Sequence, residues 1–339
     1  MKLKKFEGNP ILKPLPGSDW ESYAVCNPGV IYDKGRFTML YRASAETEVY
    51  WIYLGKAESA DGYDFKRVSE RPIYTPTQLF EAGDMEDPRI VKMRDGYFYV
   101  TYAARAVPYT LFAIGKGPKY HSANSSRALR ENLTRTGLLR TKDFEKFECL
   151  GPISREDVDD RDCVIFPEKI GGKFWMLHRP AEWGGAKYGT EKPGMWITSS
   201  DKLTRWKDKS RLLAAPDPSA PWQTLKIGAS CPPIKTRYGW LLMYHGVQGA
   251  KPERYYRQGV LMLDLKDPRK IISRPKDFVL EPSAPFEKAG VEENVVFAVG
   301  NVVVGDTYFC YYGGADMVIG VATAPFNQLV DFAMSATVK

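Results

Sequence analysis

One pattern of hydrophobic and polar positions recurs along the chain. It consists of a polar residue, a short apolar segment, a turn that contains glycine, and a segment rich in aromatic residues. Apolar and aromatic runs of this length, bounded by turn residues, are typical of β-strands, so each copy predicts a hairpin of two strands. Copies are present at residues 27–42, 86–102, 162–179, 231–246 and 294–312.

The copies follow one another at similar distances. Successive copies begin 60, 75, 69 and 63 residues apart when they are counted between Asn27, Asp87, Asp162, Cys231 and Asn294. A small turn followed by an aromatic residue indicates a further, outer strand at residues 59–65, 141–147 and 200–206. Five such units, without a convincing amphipathic helix, predict an all-β fold, a five-bladed β-propeller that forms a single domain over residues 1–339. A β-sandwich is the alternative, but it requires neither the regular spacing nor the repeated turn aromatic.

A propeller would bring distant residues together. The innermost strand of each blade runs along the central channel, so the starts of the repeated units can converge on one pocket. Asn27, Asp87 and Arg161 occupy such starts, together with the segment around Cys231. Residues at the ends of the second strands form a further candidate group, namely Arg42, Tyr102, His178, Arg179, His245 and Tyr312.

Charge and apolar content restrict the class of protein. The formal net charge is +7 over 339 residues, and the basic residues are spread among acidic ones without a basic stripe, which argues against nucleic-acid binding. No apolar run approaches the roughly 18 residues of a membrane span, and no apolar stretch follows the lysines at the start as in a secretory signal. We therefore expect a protein that binds neither nucleic acid nor membrane.

The spacing of the cysteines and histidines indicates whether the chain has disulfides or a metal site. The five cysteines are an odd number without CxxC spacing, which favours reduced thiols and a cytoplasmic location. The three histidines, His121, His178 and His245, lie far apart and lack the spacing of a zinc site. Nucleotide-binding motifs such as a Walker loop or GxGxxG are absent from the sequence. The sequence thus predicts no metal and no cofactor.

The candidate channel residues suit two kinds of ligand. Aromatic rings with amides and carboxylates suit a sugar, because pyranose faces stack on rings while hydroxyl groups need donors and acceptors. Arg161, Arg179 and Lys226 suit a phosphate, which arginine binds through two hydrogen bonds and lysine as a point charge. Structural roles stay open: Asp87 as a turn residue before a proline, Arg161 as a counter-ion of the acidic run 156–162, and the histidines and cysteines as buried residues.

Sequence blocks around these residues occur in an order that is typical of one family. The most specific blocks are Asn27-Pro-Gly29, Tyr41-Arg-Ala43, Glu86-Asp-Pro-Arg-Ile90, Phe166-Pro-Glu-Lys-Ile170, His178-Arg-Pro180, Pro233-Ile-Lys-Thr236, Tyr244-His-Gly246, Asn294-Val-Val-Phe297 and Tyr312-Gly-Gly-Ala-Asp316. Over nearly the whole chain, the sequence resembles glycoside hydrolase family 130, a family of five-bladed propellers dominated by β-mannoside phosphorylases.

The resemblance implies roles for individual residues. It makes Asp87 the general acid, which in the family acts through a sugar hydroxyl. It assigns phosphate binding to a set of four residues and mannosyl binding to Asn27 and Asp316; the phosphate set is Arg161, Arg179, Lys226 and His245. The other channel candidates, Arg42, Tyr102, His178 and Tyr312, are predicted to complete the substrate site.

The implied reaction is inverting phosphorolysis of a non-reducing β-mannosyl residue, with inorganic phosphate as co-substrate. An inverting hydrolase needs a second carboxylate to activate water, whereas phosphate is already an anion and needs cations that position it. The resemblance favours a β-1,4 linkage and leaves the acceptor open among glucose, N-acetylglucosamine, mannose and manno-oligosaccharides. A β-mannosidase of the same family and a non-catalytic carbohydrate-binding propeller are the alternatives.

The sequence departs from the family pattern at three places. Glu292-Glu293 stand where Val-Pro is common, and Ala298 stands where proline is frequent. An insertion around residues 105–140 follows the second strand of blade two. Long insertions in compact folds are usually lids or subunit contacts, so this one predicts either an acceptor subsite or a contact in a homo-oligomer.

Overall fold

The chain forms a five-bladed β-propeller, as the sequence predicts. The structure is a computed structural model that describes residues 1–120, 122, 124–206, 209–250 and 253–338. It contains five antiparallel sheets, each built around a meander of consecutive strands. The residue His121, which the sequence analysis names, lies outside the described residues.

The strands follow the predicted order from the channel outward. After a short strand β1 (Lys4–Lys5), blade one contains β2 (Ala24–Asp33), β3 (Arg36–Ser44), β4 (Tyr53–Ser59) and β5 (Lys66–Arg67). Blade two contains β6 (Asp84–Lys92), β7 (Phe98–Arg105), β8 (Arg135–Thr141) and β9 (Glu148–Pro152). Blade three contains β10 (Asp160–Ile165), β11 (Phe174–Pro180), β12 (Met195–Ser200) and β13 (Arg211–Ala214).

The last two blades depart slightly from this plan. Blade four contains β14 (Lys226–Ala229), β15 (Ile234–Lys235), β16 (Trp240–Gln248), β17 (Tyr255–Leu263) and β18 (Ile271–Ser273). Its innermost strand is divided into β14 and β15 because Pro232 and Pro233 have no N–H to donate. Blade five contains β19 (Val296–Val304), β20 (Thr307–Gly314) and β21 (Val318–Pro325).

The two ends of the propeller meet in blade five. Strand β1 pairs with β21 and supplies the outermost strand of this blade. The Nζ of Lys5 donates a hydrogen bond to Oε2 of Glu287 at 2.5 Å, and the same oxygen accepts from the backbone N–H groups of Ser283 and Ala284. The first residues of the chain are thereby fixed to the segment that precedes the last blade.

Three innermost strands carry a β-bulge at the polar residue that begins the sequence pattern. The pairing registers of β2, β6 and β10 shift at Asn27, Asp87 and Asp162. These residues have φ angles of 49°, 55° and 54°, in the left-handed region that asparagine and aspartate tolerate better than other residues with a side chain. Because a bulge changes the direction of a side chain, all three point into the central cavity.

A tyrosine near the end of the second strand pairs with a glycine of the third strand in four blades. The pairs are Tyr41 with Gly55, Tyr102 with Gly137, Tyr244 with Gly259 and Tyr312 with Gly320. Each phenol hydroxyl is hydrogen-bonded to an acidic or amide side chain from the segment before its blade: Glu21, Glu81, Gln223 and Glu287, respectively. Blade three differs, because His178 pairs with Trp196 at this position.

The helices are short and lie outside the sheets. They are α1 (Tyr109–Ala113), α2 (Arg127–Arg130), α3 (Pro285–Lys288) and α4 (Phe326–Ala333). Helices α1 and α2 belong to the insertion of blade two, which occupies the chain between the end of β7 at Arg105 and the start of β8 at Arg135. Within the described part of the chain, no helix combines the length and apolar character of a membrane span.

Candidate active site

A cavity of about 240 Å³ lies where the five blades meet, and eight of the predicted site residues line it. Four of them, Asn27, Asp87, Arg161 and Lys226, lie in the innermost strands of blades one to four. The others are Arg42, Arg179 and His245 near the ends of second strands, and Asp316 directly after β20. The structure therefore gathers residues that are up to 289 positions apart in the sequence.

Three predicted substrate residues do not line this cavity. Tyr102, His178 and Tyr312 are buried on the blade faces, where their polar atoms contact Glu81, Asp160 and Glu287, respectively. Successive residues of a strand point to opposite faces, so the residue that follows each of them is turned toward the channel. Ala103, which follows Tyr102, and Arg179, which follows His178, line the cavity. Arg42 and His245, which follow Tyr41 and Tyr244 in blades one and four, line it as well.

Asp87 is held by an amide and a guanidinium. Its Oδ1 accepts a hydrogen bond from Nδ2 of Asn27 at 2.9 Å and lies 3.7 Å from Nη1 of Arg42. Asp316 shares both partners, with Oδ1 at 3.4 Å from Nδ2 of Asn27 and Oδ2 at 3.7 Å from Nη1 of Arg42. One amide and one guanidinium thus fix two carboxyl groups beside each other.

The surroundings of Asp87 favour its protonated form. Burial raises the pKa of Asp87 to about 6, and the nearby carboxylates of Glu86 and Asp316 act in the same direction against the charge of Arg42. Burial likewise raises the pKa of Asp316. A carboxyl group with a raised pKa in a cavity suits a general acid, because a useful fraction carries a proton near neutral pH.

Glu86 has the opposite electrostatic character. Its Oε1 accepts a hydrogen bond from Nη1 of Arg105 at 2.6 Å, and its Oε2 lies 3.4 Å from Nη1 of Arg42. Burial opposes ionisation, but the guanidinium groups of Arg105, Arg42 and Arg161 prevail and lower the pKa of Glu86 to about 2. Near neutral pH, Glu86 is therefore ionised, whereas the adjacent Asp87 can carry a proton.

The basic side chains of the cavity surround Asp162. Its Oδ2 accepts a hydrogen bond from Nε of Arg179 at 2.5 Å and lies 3.5 Å from Nε2 of His245. Burial opposes its ionisation, but the charge of Arg179 outweighs this effect and holds the pKa of Asp162 below its usual range. Arg161 is bound separately, through two hydrogen bonds of 2.8 and 3.0 Å to Asp159.

Lys226 has a more poorly compensated charge. Among the residues that the structure describes, no carboxylate lies within salt-bridge distance of its Nζ, which lies 5.3 Å from the ring centre of Tyr256. Burial, together with the nearby Arg179, lowers the pKa of Lys226 to about 7. Burial also lowers the pKa of His245 to about 3, so its imidazole is neutral at neutral pH. An anion bound here would restore the full charge of Lys226.

The side chain of Arg89 lies behind the cavity wall and contacts both Asp87, in the acidic part of the site, and Asp162, in the basic part. Its Nη1 donates to the backbone carbonyl of Asp87 at 3.1 Å, its Nη2 lies 3.7 Å from Oδ1 of Asp162, and its Nε donates to the carbonyl of Ser230. The side chain is almost completely buried and does not line the cavity. It supports the two bulged residues from neighbouring blades in fixed positions.

Several cavity residues are missing from the sequence prediction. Glu86 and Asp162 are direct neighbours of predicted residues, and each is the first residue of a repeated unit, which is the signal that would have included them. The others are Ala103, Arg105, Thr134, Arg254, Tyr256, Glu292, Val295 and Phe297. Tyr256 lies in a third strand, and the repeated pattern covered first and second strands only.

The arrangement combines one acidic and one basic group of residues around a small, polar space. Within the described ranges, no group of three or more histidine, cysteine, aspartate or glutamate side chains is placed to hold a metal ion. A protonatable carboxyl group and a set of cations in one cavity can donate a proton to a leaving group while they hold an anionic nucleophile.

Comparisons with known proteins identify related sequences. Residues 2–335 match the sequence profile of glycoside hydrolase family 130, described as β-1,4-mannooligosaccharide phosphorylase. A 1,2-β-oligomannan phosphorylase from Thermoanaerobacter sp. (strain X514) is 38% identical over 97% of this chain and 99% of that protein. A β-1,2-mannobiose phosphorylase from the same organism is 34% identical over 95% and 96% of the two chains.

A solved structure shows the same similarity. The β-1,2-mannobiose phosphorylase of Listeria innocua, in complex with β-1,2-mannobiose, superposes with a TM-score of 0.79 at 26% identity. The superposition covers 98% of this chain and 99% of that chain. With the family profile matched over almost its full length, the chain belongs to glycoside hydrolase family 130.

Proposed function

We propose that the protein catalyses the phosphorolysis of the non-reducing β-1,2-mannosidic linkage of oligomannosides, releasing α-mannose 1-phosphate and the shortened oligosaccharide. The observation that carries this proposal is the joint presence, in one cavity, of a carboxyl group with a raised pKa and a set of cations from two neighbouring blades. Membership in a family of mannoside phosphorylases supports the substrate class.

Asp87 is the proposed general acid. The bond between the anomeric carbon and the bridging oxygen breaks, and this oxygen leaves with a proton that originates from the Asp87 carboxyl group and passes through a sugar hydroxyl. Donation leaves a carboxylate that Arg42 and the amide of Asn27 stabilise at 3.7 and 2.9 Å. Protonation from a positioned acid accelerates such steps by roughly 10²- to 10⁴-fold.

Arg161, Arg179, Lys226 and His245 are the proposed phosphate ligands. Arg179 is oriented by Asp162 and Arg161 by Asp159, so the remaining N–H groups of both guanidinium groups are held in place before phosphate arrives. His245 lies beside them, with Nε2 3.5 Å from Oδ2 of Asp162. The bound phosphate attacks the anomeric carbon from the face opposite the leaving oxygen. This attack inverts the configuration, which gives the α-phosphate. Cations that are already positioned need not reorganise during the reaction.

Asn27, Arg42 and Asp316 are the proposed mannosyl ligands. Their side chains lie around Asp87, and an amide, a guanidinium and a carboxyl group together offer donors and acceptors to sugar hydroxyls. The insertion borders this part of the cavity, because Arg105 lines it and stacks on Tyr109 of α1 at 5.7 Å. We therefore propose that the insertion shapes the acceptor subsite.

The proposed linkage differs from the β-1,4 linkage favoured from sequence. The two relatives cited above, at 38% and 34% identity, are named for β-1,2-linked substrates, whereas the family description names β-1,4-linked ones. Because both relatives are individual proteins that share more than a third of their residues with this chain, the linkage in their names is the more specific argument.

The test is a comparison of linkages under identical conditions. Purified protein is incubated with β-1,2-mannobiose, β-1,4-mannobiose and β-1,4-mannosylglucose, each with and without inorganic phosphate, and kcat/KM is measured from mannose 1-phosphate release. We expect the β-1,2 substrate to be preferred by at least about tenfold, a free-energy difference of about 1.4 kcal/mol. A preference for either β-1,4 substrate would refute the linkage and leave the phosphorylase assignment intact.

A further inference from the structure

A second and larger cavity lies on the outer part of blade three. Its volume is about 570 Å³, and it opens between blade three and the segment that connects blades two and three. It coincides with the departure from the repeated tyrosine and glycine pair, because His178 and Trp196 occupy these positions in blade three. In the other four blades a tyrosine ring lies against a glycine at these positions.

The walls of the cavity are aromatic. Trp183 stacks on Tyr188 with ring centres 5.5 Å apart and an interplanar angle of 13°. Trp196 lies edge-on to Trp183 at 4.7 Å and 80°. Trp183 and Tyr188 are half-buried, in the connection between β11 and β12. They offer flat apolar surfaces of the kind on which the apolar face of a pyranose stacks.

Polar groups are distributed between these rings. His178 contacts Oδ2 of Asp160 through Nδ1 at 2.8 Å and Oγ of Ser210 through Nε2 at 2.9 Å. All three residues line the cavity, as does Arg155. The Nε1 of the almost completely buried Trp196 has no hydrogen-bond partner among the described residues. A few fixed polar groups in an aromatic cavity of this size are typical of a small-ligand site.

The outer cavity and the central cavity lie on opposite sides of strand β10 in blade three. Asp160 lines the outer cavity and the next residue, Arg161, lines the central one, because successive residues of β10 point to opposite faces. The segment that carries Trp183 and Tyr188 begins directly after Arg179 and Pro180, where β11 ends near the active site. Adjacent residues of one strand therefore line the two cavities, and the aromatic wall of the outer cavity belongs to the segment that follows β11.

We propose that the outer cavity of blade three is a second saccharide-binding site, which holds a mannosyl unit of an oligomannoside away from the reaction centre. The identity of the sugar rests on the proposed function, whereas the site itself rests on the cavity and its aromatic walls. Binding at this site retains long substrates and products beside the active site and raises their effective concentration there.

The test counts binding sites with a saccharide of defined length. Asp87→Asn protein, which is expected not to turn over, is titrated calorimetrically with β-1,2-mannotetraose and with β-1,2-mannobiose in the absence of phosphate. The proposal predicts two binding events for β-1,2-mannobiose, and Trp183→Ala and Tyr188→Ala should both weaken the same one. β-1,2-Mannotetraose, which can occupy both sites at once, should bind more weakly to both variants. The matched control is Tyr238→Ala, an exposed tyrosine in the turn between β15 and β16, which leaves both events unchanged.

Kinetics supply a readout that a folding defect would not reproduce. With an intact Asp87, Trp183→Ala and Tyr188→Ala should raise KM for β-1,2-mannotetraose about 3- to 10-fold, as expected for the loss of one stacking contact, and leave kcat and KM for β-1,2-mannobiose unchanged. Trp183→Phe should restore most of the affinity.

The outcomes separate this proposal from the proposed function. A single binding event for β-1,2-mannobiose in the Asp87→Asn protein, or two events that survive both substitutions, would overturn the second site even if phosphorolysis proceeds normally. If both variants unfold by circular dichroism, the parent titration still decides, because one event alone excludes the site. Failure of phosphorolysis with intact, Trp183-dependent binding would instead refute the enzymatic assignment.

Discussion

Asp87, the proposed general acid, is maintained at a cost to stability at neutral and alkaline pH. Its pKa in the folded protein is raised to about 6, mainly by burial, so its ionised form is disfavoured by folding. The contribution of Asp87 to the free energy of unfolding is fully present below about pH 4, near the unfolded-state pKa, where the carboxyl group is protonated in both states. This contribution is lost as the pH rises through about 6, the pKa in the folded protein. Asp87→Asn removes this penalty because the amide cannot ionise.

We expect Asp87→Asn to abolish turnover and to stabilise the protein at alkaline pH. At pH 8 its free energy of unfolding should exceed that of the parent by up to about 3 kcal/mol, and the difference should fall toward zero at pH 4. Urea unfolding at both pH values measures this difference. Equal free energies of unfolding for the parent and Asp87→Asn at pH 8 would show that folding does not disfavour the ionised carboxylate.

As a proposed phosphate ligand, Lys226 should make phosphate binding depend on pH. Burial lowers the pKa of Lys226 to about 7, so the free protein loses this charge as the pH rises above 7, and KM for phosphate should rise about tenfold per pH unit. Lys226→Arg retains a guanidinium that stays protonated. We expect its KM for phosphate to be nearly constant between pH 7 and pH 9. The ionisation of phosphate itself affects both proteins equally. If KM for phosphate changed with pH in the same way in the parent and in Lys226→Arg, Lys226 would not be the group that makes phosphate binding pH-dependent.

At the scale of the strands, two glycines allow the site to assemble. A Cβ at Gly228 of β14 would lie 2.3 Å from Oδ2 of Asp162 and 3.0 Å from Nε of Arg179, in the phosphate group of residues. A Cβ at Gly313 of β20 would lie 1.9 Å from Oδ1 of Asn27, in the mannosyl group. The two positions therefore test the two halves of the cavity separately.

Gly228→Ala should raise KM for phosphate at least about tenfold, because the added methyl group displaces the hydrogen bond that orients Arg179. Gly313→Ala should raise KM for the mannoside and change KM for phosphate much less. Each variant is the control for the other, and initial rates with one substrate varied at a time give both constants. If both substitutions altered the same constant, the division of the cavity would be wrong.

The strands also show which parts of the site can be predicted from sequence. The repeated pattern gives the blades and their first and second strands, because alternation and turn residues are local signals. It misplaces Tyr102, His178 and Tyr312, since a shift of one residue turns a side chain to the other face of a sheet. The bulges that aim Asn27 and Asp87 inward depend on pairing with a second strand, and no local pattern specifies such a register.

At the scale of the whole molecule, closure of the propeller depends on the short strand β1. Lys5 donates to Glu287, whose other oxygen accepts from the hydroxyl of Tyr312 in blade five. Glu287 is completely buried, so removal of its cation leaves a buried charge without a full partner.

Lys5→Ala should lower the free energy of unfolding by about 2–3 kcal/mol, because it breaks a largely buried ion pair. The adjacent Lys4 has an exposed side chain, and Lys4→Ala is the matched control, with an expected change below about 0.5 kcal/mol. Chemical denaturation of the three proteins measures the difference. Similar stabilities for the two variants would show that closure does not depend on this contact.

The contribution of Lys5 was not predictable from the sequence pattern. The pattern contains five hairpins but no sign that residues 4 and 5 pair with the last blade, because that contact joins opposite ends of the chain. The convergence of the cations was predictable only in outline. Their mutual orientation through Asp162 and Arg89 depends on contacts between blades, which sequence periodicity does not contain.

The most direct test of the account is the fate of β-1,2-mannotriose in the presence and absence of inorganic phosphate, followed by ³¹P and ¹H NMR. With phosphate, we predict one α-mannose 1-phosphate for each β-1,2-mannobiose formed; without phosphate, the trisaccharide should remain intact. Release of free mannose at the same rate in both samples would contradict the account, because the cations that we assign to phosphate would then have no part in the reaction.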